Sequence, residues 1–126
     1  MILRSGVDLI EVDRVQGSID RHGNRFLERV YTPQEIMLFG SSLPSLSARF
    51  AAKEAVSKAL GCGIGIVRFQ DIEILRGASG EPWLLLHGAA ERIAAQLGLE
   101  TWSLSISHTR EHAIAFVVAA GKDLDI

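Results

Sequence analysis

A single cysteine, Cys62, excludes an internal disulfide and a cysteine-built zinc site from this 126-residue chain. Its position just after a helix-forming stretch gives no reason to read it as a nucleophile, and so sparse a use of cysteine fits a cytosolic protein. An excess of charge is missing too. The 13 Lys and Arg nearly balance the 15 Asp and Glu, leaving a net charge of −2. A general nucleic-acid binder needs a basic surface to displace counterions, so that class is excluded. No charged-then-apolar leader with a cleavage site is seen, and the apolar run 113–120 falls far short of the about 20 residues that span a bilayer. Neither export nor membrane insertion is expected.

What the chain has in quantity is apolar surface. Apolar residues make up 48% of it and the mean hydropathy is +0.21, high for a chain this short. One domain over residues 1–126 buries roughly two thirds of the surface its unfolded chain exposes. The surplus is expected in a subunit interface, hence a homo-oligomer.

Local signals order the elements. Residues 2–12 read as a strand, followed by a Gly-punctuated, Arg-rich stretch of short helices to about residue 30. Thr32-Pro33-Gln34-Glu35 is a helix start, with Thr as N-cap, Pro at the first turn and Glu three residues on; this helix should end near Gly40. Residues 42–45 form a break, and a long helix is predicted from about residue 45 to Leu60, closed by Gly61. The Gly61-to-Gly65 loop follows a helix instead of preceding one, so it does not match a phosphate-cradling loop. Strands at 71–75 and 82–86 form a hairpin, 88–98 a helix, and 101–107 with 112–119 a second hairpin. This order predicts an α+β fold, an antiparallel sheet packed on a long central helix.

On that helix, Ala48, Ala51, Ala52, Ala55, Val56 and Ala59 make a small-residue face, while Phe50, Lys53, Glu54, Ser57 and Lys58 gather opposite. Read alone, Glu54 and Lys58 are an ordinary i,i+4 surface pair. A second carboxylate changes the reading: Asp8 sits between Val7 and Leu9, where an ionised group is costly without a compensating cation or donor. A capping or Arg-pairing role is the structural alternative. If Asp8 and Glu54 converge, two carboxylates without a Cys/His cluster suit Mg²⁺, which takes one or two carboxylates plus substrate phosphates. Lys58 could then neutralise phosphate charge. Ser107 and His108, neighbours on a strand, point to opposite faces and form no nucleophilic dyad. Arg14, Arg21 and Arg25, if they share a face, make a patch for an acidic protein partner, with Phe26 as apolar anchor.

Three segments together resemble a known family: Gly6-Val7-Asp8-Leu9-Ile10-Glu11-Val12-Asp13-Arg14, residues 49–61, and Ile106-Ser107-His108-Thr109 followed by residues 113–117. In order and spacing they are similar to the motifs of bacterial holo-[acyl-carrier-protein] synthases. The resemblance implies a phosphopantetheinyl transferase fold and a homotrimer with coenzyme A bound between subunits. It implies a Mg²⁺-dependent transfer of 4′-phosphopantetheine from coenzyme A to a serine of apo acyl carrier protein, releasing adenosine 3′,5′-bisphosphate. Asp8 and Glu54 would hold the metal and Lys58 would act on the phosphates. Arg49, Lys53, Ser57, Gly61, His108 and Thr109 would contact coenzyme A, and Arg14, Arg21, Arg25 and Phe26 the carrier protein. One departure is Gly80-Glu81-Pro82, where the family commonly has Gly-Lys-Pro; no coenzyme A contact is assigned to this turn. The competing readings are a metal-dependent hydrolase of the coenzyme A pyrophosphate and a non-catalytic coenzyme A-binding module.

Overall fold

Alternating burial along residues 2–11 and 112–121 builds the centre of the molecule, which a computed structural model describes for residues 1–122. The last four residues of the expected 1–126 domain lie outside the described residues. The order is β1 (Ile2–Glu11), α1 (Val12–His22), α2 (Asn24–Val30), α3 (Pro33–Phe39), α4 (Leu43–Ala59), β2 (Ile72–Arg76), β3 (Pro82–Leu86), α5 (Gly88–Gln96), β4 (Leu99–His108) and β5 (His112–Gly121). Strands β1, β5 and β4 form an antiparallel sheet with β5 in the middle, and β2–β3 is a separate hairpin. The α+β architecture expected from the sequence is the one observed.

The main sheet has two unlike faces because side chains alternate along each strand. Ile10, Ala113, Ala115, Val117, Ala119 and Leu99 are buried on the inner face and join the alanines of α4 in the core. Leu3, Val7, Leu9, Ile114 and Phe116 lie on the outer face, between 41% and 65% exposed. In register, Val7 faces Phe116 and Leu9 faces Ile114, while β4 adds Ser105 and Ser107 to the same rows.

Helix α4 starts two residues earlier than predicted. The break at 42–45 is its N-cap: Ser42 Oγ accepts from the Ser45 N–H at 3.3 Å and Pro44 fits within the first turn. The capping box of α3 is as read, with Thr32 Oγ1 accepting from the Glu35 N–H at 3.2 Å and Glu35 Oε1 accepting from the Thr32 N–H at 2.8 Å. Close packing then seats α4 on β1. A Cβ placed on Gly6 would lie 1.9 Å from the Ala55 carbonyl oxygen, so strand and helix touch backbone to backbone at that point.

The opposed polar side predicted for α4 is corrected by the structure. Arg49, Lys53 and Ser57 are buried together with the alanines, leaving Glu54 half-buried and Lys58 exposed. The helix runs through the core and is enclosed on most of its circumference, since elements pack against it on both sides: the sheet on one, α3 and β2 on the other.

Candidate active site

Asp8 enters the site from β1, on the strand face that carries Gly6 and Ile10 towards α4. Lys58, one turn beyond Glu54 on that helix, reaches Asp8, and Glu54 lies close enough for the Asp8 charge to bear on its carboxyl. Lys58 Nζ donates to Asp8 Oδ1 at 3.1 Å and to the Val7 carbonyl at 3.0 Å, although its side chain is 53% exposed. Burial, and next the Asp8 carboxylate, push the Glu54 carboxyl above its ordinary range; Lys58 and Arg14 pull it part of the way back. A second carboxylate that makes Glu54 harder to ionise creates a site that a cation relieves. Among the described residues no cluster of three or more His, Cys, Asp or Glu could hold a metal ion. The donors present, two carboxylates, suit a hard cation such as Mg²⁺ that completes its shell from water and substrate oxygens.

Beside this site runs the arginine patch. Arg14 and Arg21 on α1 join Ile10, Val15, Phe26 and Phe50 around a cleft of about 340 Å³. Phe26 stacks on Phe50 with ring centroids 6.4 Å apart, which makes an apolar floor under a cationic rim. Arg25 lies on the other side of Phe26, with His22 and Arg29. Arg14, Arg21 and Phe26 thus share one cleft, while Arg25 lies outside it across Phe26. Phe50 was placed there on the polar side of α4, and its share in this cleft was missed; its i,i+4 spacing to Glu54 was the available signal.

The residues expected to touch coenzyme A divide into two groups. Arg49, Lys53 and Ser57 are corrections. Lys53 is fully buried, with Nζ donating to Glu35 Oε1 at 2.8 Å, to the Phe69 carbonyl at 3.0 Å and to the Ile72 carbonyl at 2.5 Å. Arg49 donates from Nε to the Ile74 carbonyl at 3.1 Å, and its guanidinium carbon stands 3.5 Å from the centre of the Phe39 ring. Burial, followed by the nearby Arg76, brings its pKa down to about 10. Ser57 Oγ is buried and donates to the Glu54 carbonyl at 2.7 Å. Lys53 and Ser57 spend their side-chain polar atoms inside the subunit, and Arg49 spends its Nε there with its guanidinium packed on Phe39.

Gly61, His108 and Thr109 remain at the surface. Gly61 adopts φ +78°, and a Cβ there would lie 2.5 Å from the Arg4 guanidinium, whose Nε donates to the Ala59 carbonyl at 2.5 Å. Arg4, a helix C-terminus partner missed in the sequence, packs against Gly61 where a side chain would otherwise stand. His108 ends β4, and the Thr109 hydroxyl accepts from the N–H groups of Glu111 and His112. Across the sheet His108 shares a row with Ala113 and Ile10, and Asp8 shares the next same-face row with Ala115 and Ile106. His108 and Asp8 are thus on the two outer strands, about 10 Å apart across the sheet alone. One subunit does not bring them together. In the Gly80-Glu81-Pro82 turn, Glu81 Oε2 accepts from the Ser79 N–H at 2.9 Å, so this carboxylate braces the hairpin.

Comparison with known proteins agrees with the geometry. The model of the 4′-phosphopantetheinyl transferase superfamily matches residues 4–117. A holo-[acyl-carrier-protein] synthase of Herpetosiphon aurantiacus is 47% identical over 95% of this chain and all of that protein, and one of Solibacter usitatus is 48% identical over 94% and 98%. A crystal structure of Helicobacter pylori holo-[acyl-carrier-protein] synthase in complex with coenzyme A superposes with a TM-score of 0.84 at 35% identity, covering 92% of this chain and 99% of that one. With its site built on β1 and α4 inside the matched region, the chain belongs to the 4′-phosphopantetheinyl transferase superfamily.

Proposed function

We propose that this chain transfers 4′-phosphopantetheine from coenzyme A to a serine of apo acyl carrier protein. In the reaction the serine oxygen bonds to the phosphorus that carries pantetheine, the pyrophosphate bond breaks, and adenosine 3′,5′-bisphosphate leaves with the bridging oxygen. The observation that carries this reading is the convergence of Asp8, Glu54 and Lys58 beside an arginine-rimmed cleft, in a chain without a nucleophile of its own at the site. Such a site positions two substrates and offsets phosphate charge, which is most of what phosphoryl transfer requires.

Asp8 and Glu54 would hold Mg²⁺, whose chemistry is to polarise phosphoryl oxygens and neutralise charge that develops on them. Lys58 has its stem on the protein and its ammonium half in solvent, where it can turn to phosphate oxygens beyond the two carboxylates. Hydrolysis by water is the rival use of the same groups. The discriminating experiment measures adenosine 3′,5′-bisphosphate release with and without apo carrier protein. Release that depends on the carrier supports transfer, and equal release without it would favour the hydrolase.

The cleft at Arg14, Arg21 and Phe26, with Arg25 in the adjoining depression across Phe26, suits an acidic helix of the carrier protein with an apolar side chain to place on Phe26 and Phe50. Reversing the charge at Arg21 is expected to raise the carrier KM about tenfold or more through lost steering, with coenzyme A affinity unchanged. Equal changes for both substrates, read from steady-state kinetics and calorimetry, would count against this placement.

Assembly as a homotrimer completes the proposal, supported by the exposed apolar face of β1 and β5 and by the separation of His108 from Asp8 within one subunit. Coenzyme A between subunits would reach both. Phe116→Glu puts a charge in the middle of that face and is expected to give a monomer by light scattering, with activity lost. An unchanged oligomer would contradict it. Cytoplasmic action in fatty acid biosynthesis belongs to the same reading; no described helix is long and apolar enough to cross a membrane.

A further inference from the structure

The stripe Arg49, Lys53 and Ser57 lies at i, i+4 and i+8 on α4, all three buried, and the reaction as proposed uses none of them. What it contacts is one side of the subunit. Arg49 reaches the Ile74 carbonyl, and Lys53 reaches the Ile72 carbonyl, the Phe69 carbonyl and Glu35. Glu35 is itself fully engaged: Oε1 accepts from Thr32 and Lys53, and Oε2 accepts from the Ile74 N–H at 2.9 Å. Thr32 Oγ1 donates to Glu73 Oε2 at 2.5 Å, and Glu73 Oε1 is 3.0 Å from His87 Nε2. The chain of polar groups ties α3, the turn at Phe69–Asp71 and β2 to one point on α4.

The opposite side of α4 is different in kind. It meets the sheet through alanines and the bare backbone at Gly6, a surface that allows close approach yet has few projections to resist sliding or rotation. Glu54 is the next residue after Lys53, turned about 100° round the helix towards Asp8. A small shift of the helix therefore changes the separation of the two carboxylates directly; the half-exposed Lys58 and the Arg4–Ala59 bond oppose it at the C-terminal end, and the fully buried directional bonds of Lys53 oppose it beside Glu54 itself.

Resting on the metal site proposed above, we infer that Lys53 and Glu35 are positioning residues that lock α4 in the setting where Glu54 faces Asp8. Three N–H donors of one ammonium meet three fixed acceptors, so neither a neutral isostere nor a shorter cation reproduces the lock. Supporting groups of this sort change metal affinity or activity by about 10–100-fold when removed.

The test measures Mn²⁺ affinity by electron paramagnetic resonance, coenzyme A affinity without metal by calorimetry, turnover, and melting temperature. Wild type and Asp8→Asn come first: Mn²⁺ binding absent from the wild type, or unaffected in Asp8→Asn, would sink the metal site itself. With that site in place, Lys53→Met is expected to weaken Mn²⁺ about 10–100-fold and lower turnover similarly, with metal-free coenzyme A affinity unchanged. Should Lys53→Met not fold, Glu35→Gln supplies the same readouts, because its amide nitrogen would turn a donor on the Ile74 N–H. A Lys53→Met, Glu35→Met pair removes both buried charges together but leaves the Thr32 and Ile74 N–H groups without their acceptor, so neither melting temperature nor Mn²⁺ affinity should return to the wild-type value. Wild-type Mn²⁺ affinity in the folded variants would overturn the inference, as would weakened coenzyme A binding with metal affinity intact.

Discussion

Asp8→Asn and Glu54→Gln should each lower transfer by about 100–1,000-fold, because each removes a group aimed at charge that develops on the phosphates. The two are not equivalent. Asp8 is 17% exposed and already shares Lys58, whereas Glu54 is the carboxyl that burial and Asp8 together make harder to ionise. Removing the Asp8 charge leaves Glu54 easier to ionise, so its raised pKa returns towards the ordinary value. Metal binding needs the ionised form, and in the wild type it should weaken as pH falls through that raised value. In Asp8→Asn affinity is lower throughout, and the remaining pH dependence moves to lower pH. Magnesium titrations of both variants across pH check this; wild-type rates in the double variant would show that these carboxylates do not hold the metal.

Gly6→Ala carries the largest expected cost in stability. The new methyl would lie 1.9 Å from the Ala55 carbonyl oxygen, part of the α4 backbone, with the Ala55 carbonyl carbon at 2.9 Å. A flexible side chain could move aside, but helix backbone cannot do so alone. Overpacking of this sort costs about 1–3 kcal/mol and more where backbone must shift, and about 3 kcal/mol lowers the melting temperature of a chain this size by roughly 10 °C. Because Asp8 is two residues along the strand and Glu54 adjoins Ala55, the same displacement also opens the site. Calorimetry and transfer rates together test the link: both should fall. A variant with wild-type melting and activity would mean that strand and helix have more room than the packing allows.

Much of this was open to reading from local signals. The capping box at Thr32 and Glu35, the hairpins and the alternation of β1 are set by neighbours a few positions apart, and the structure has them. Asp8 stood out because a carboxylate in an apolar strand needs a reason. What local patterns could not show was where the charges of α4 go. Lys53 finds Glu35 eighteen positions earlier on another helix, and Arg49 finds the carbonyl of Ile74. Periodicity assigns a lysine and an arginine to solvent by default, and only tertiary pairing reverses that. The same limit hid Arg4 beside Gly61. Charge clustering, by contrast, foretold the cleft at Arg14, Arg21 and Phe26, because long exposed side chains on one short helix pair stay close whatever the rest of the fold does.

The most direct measurement is the intact mass of an apo acyl carrier protein after incubation with this protein, coenzyme A and Mg²⁺. The account predicts a gain equal to one phosphopantetheine group on a serine, abolished by EDTA and all but lost in Asp8→Asn and Glu54→Gln. An unmodified carrier, or the same gain with every divalent ion removed, would contradict it.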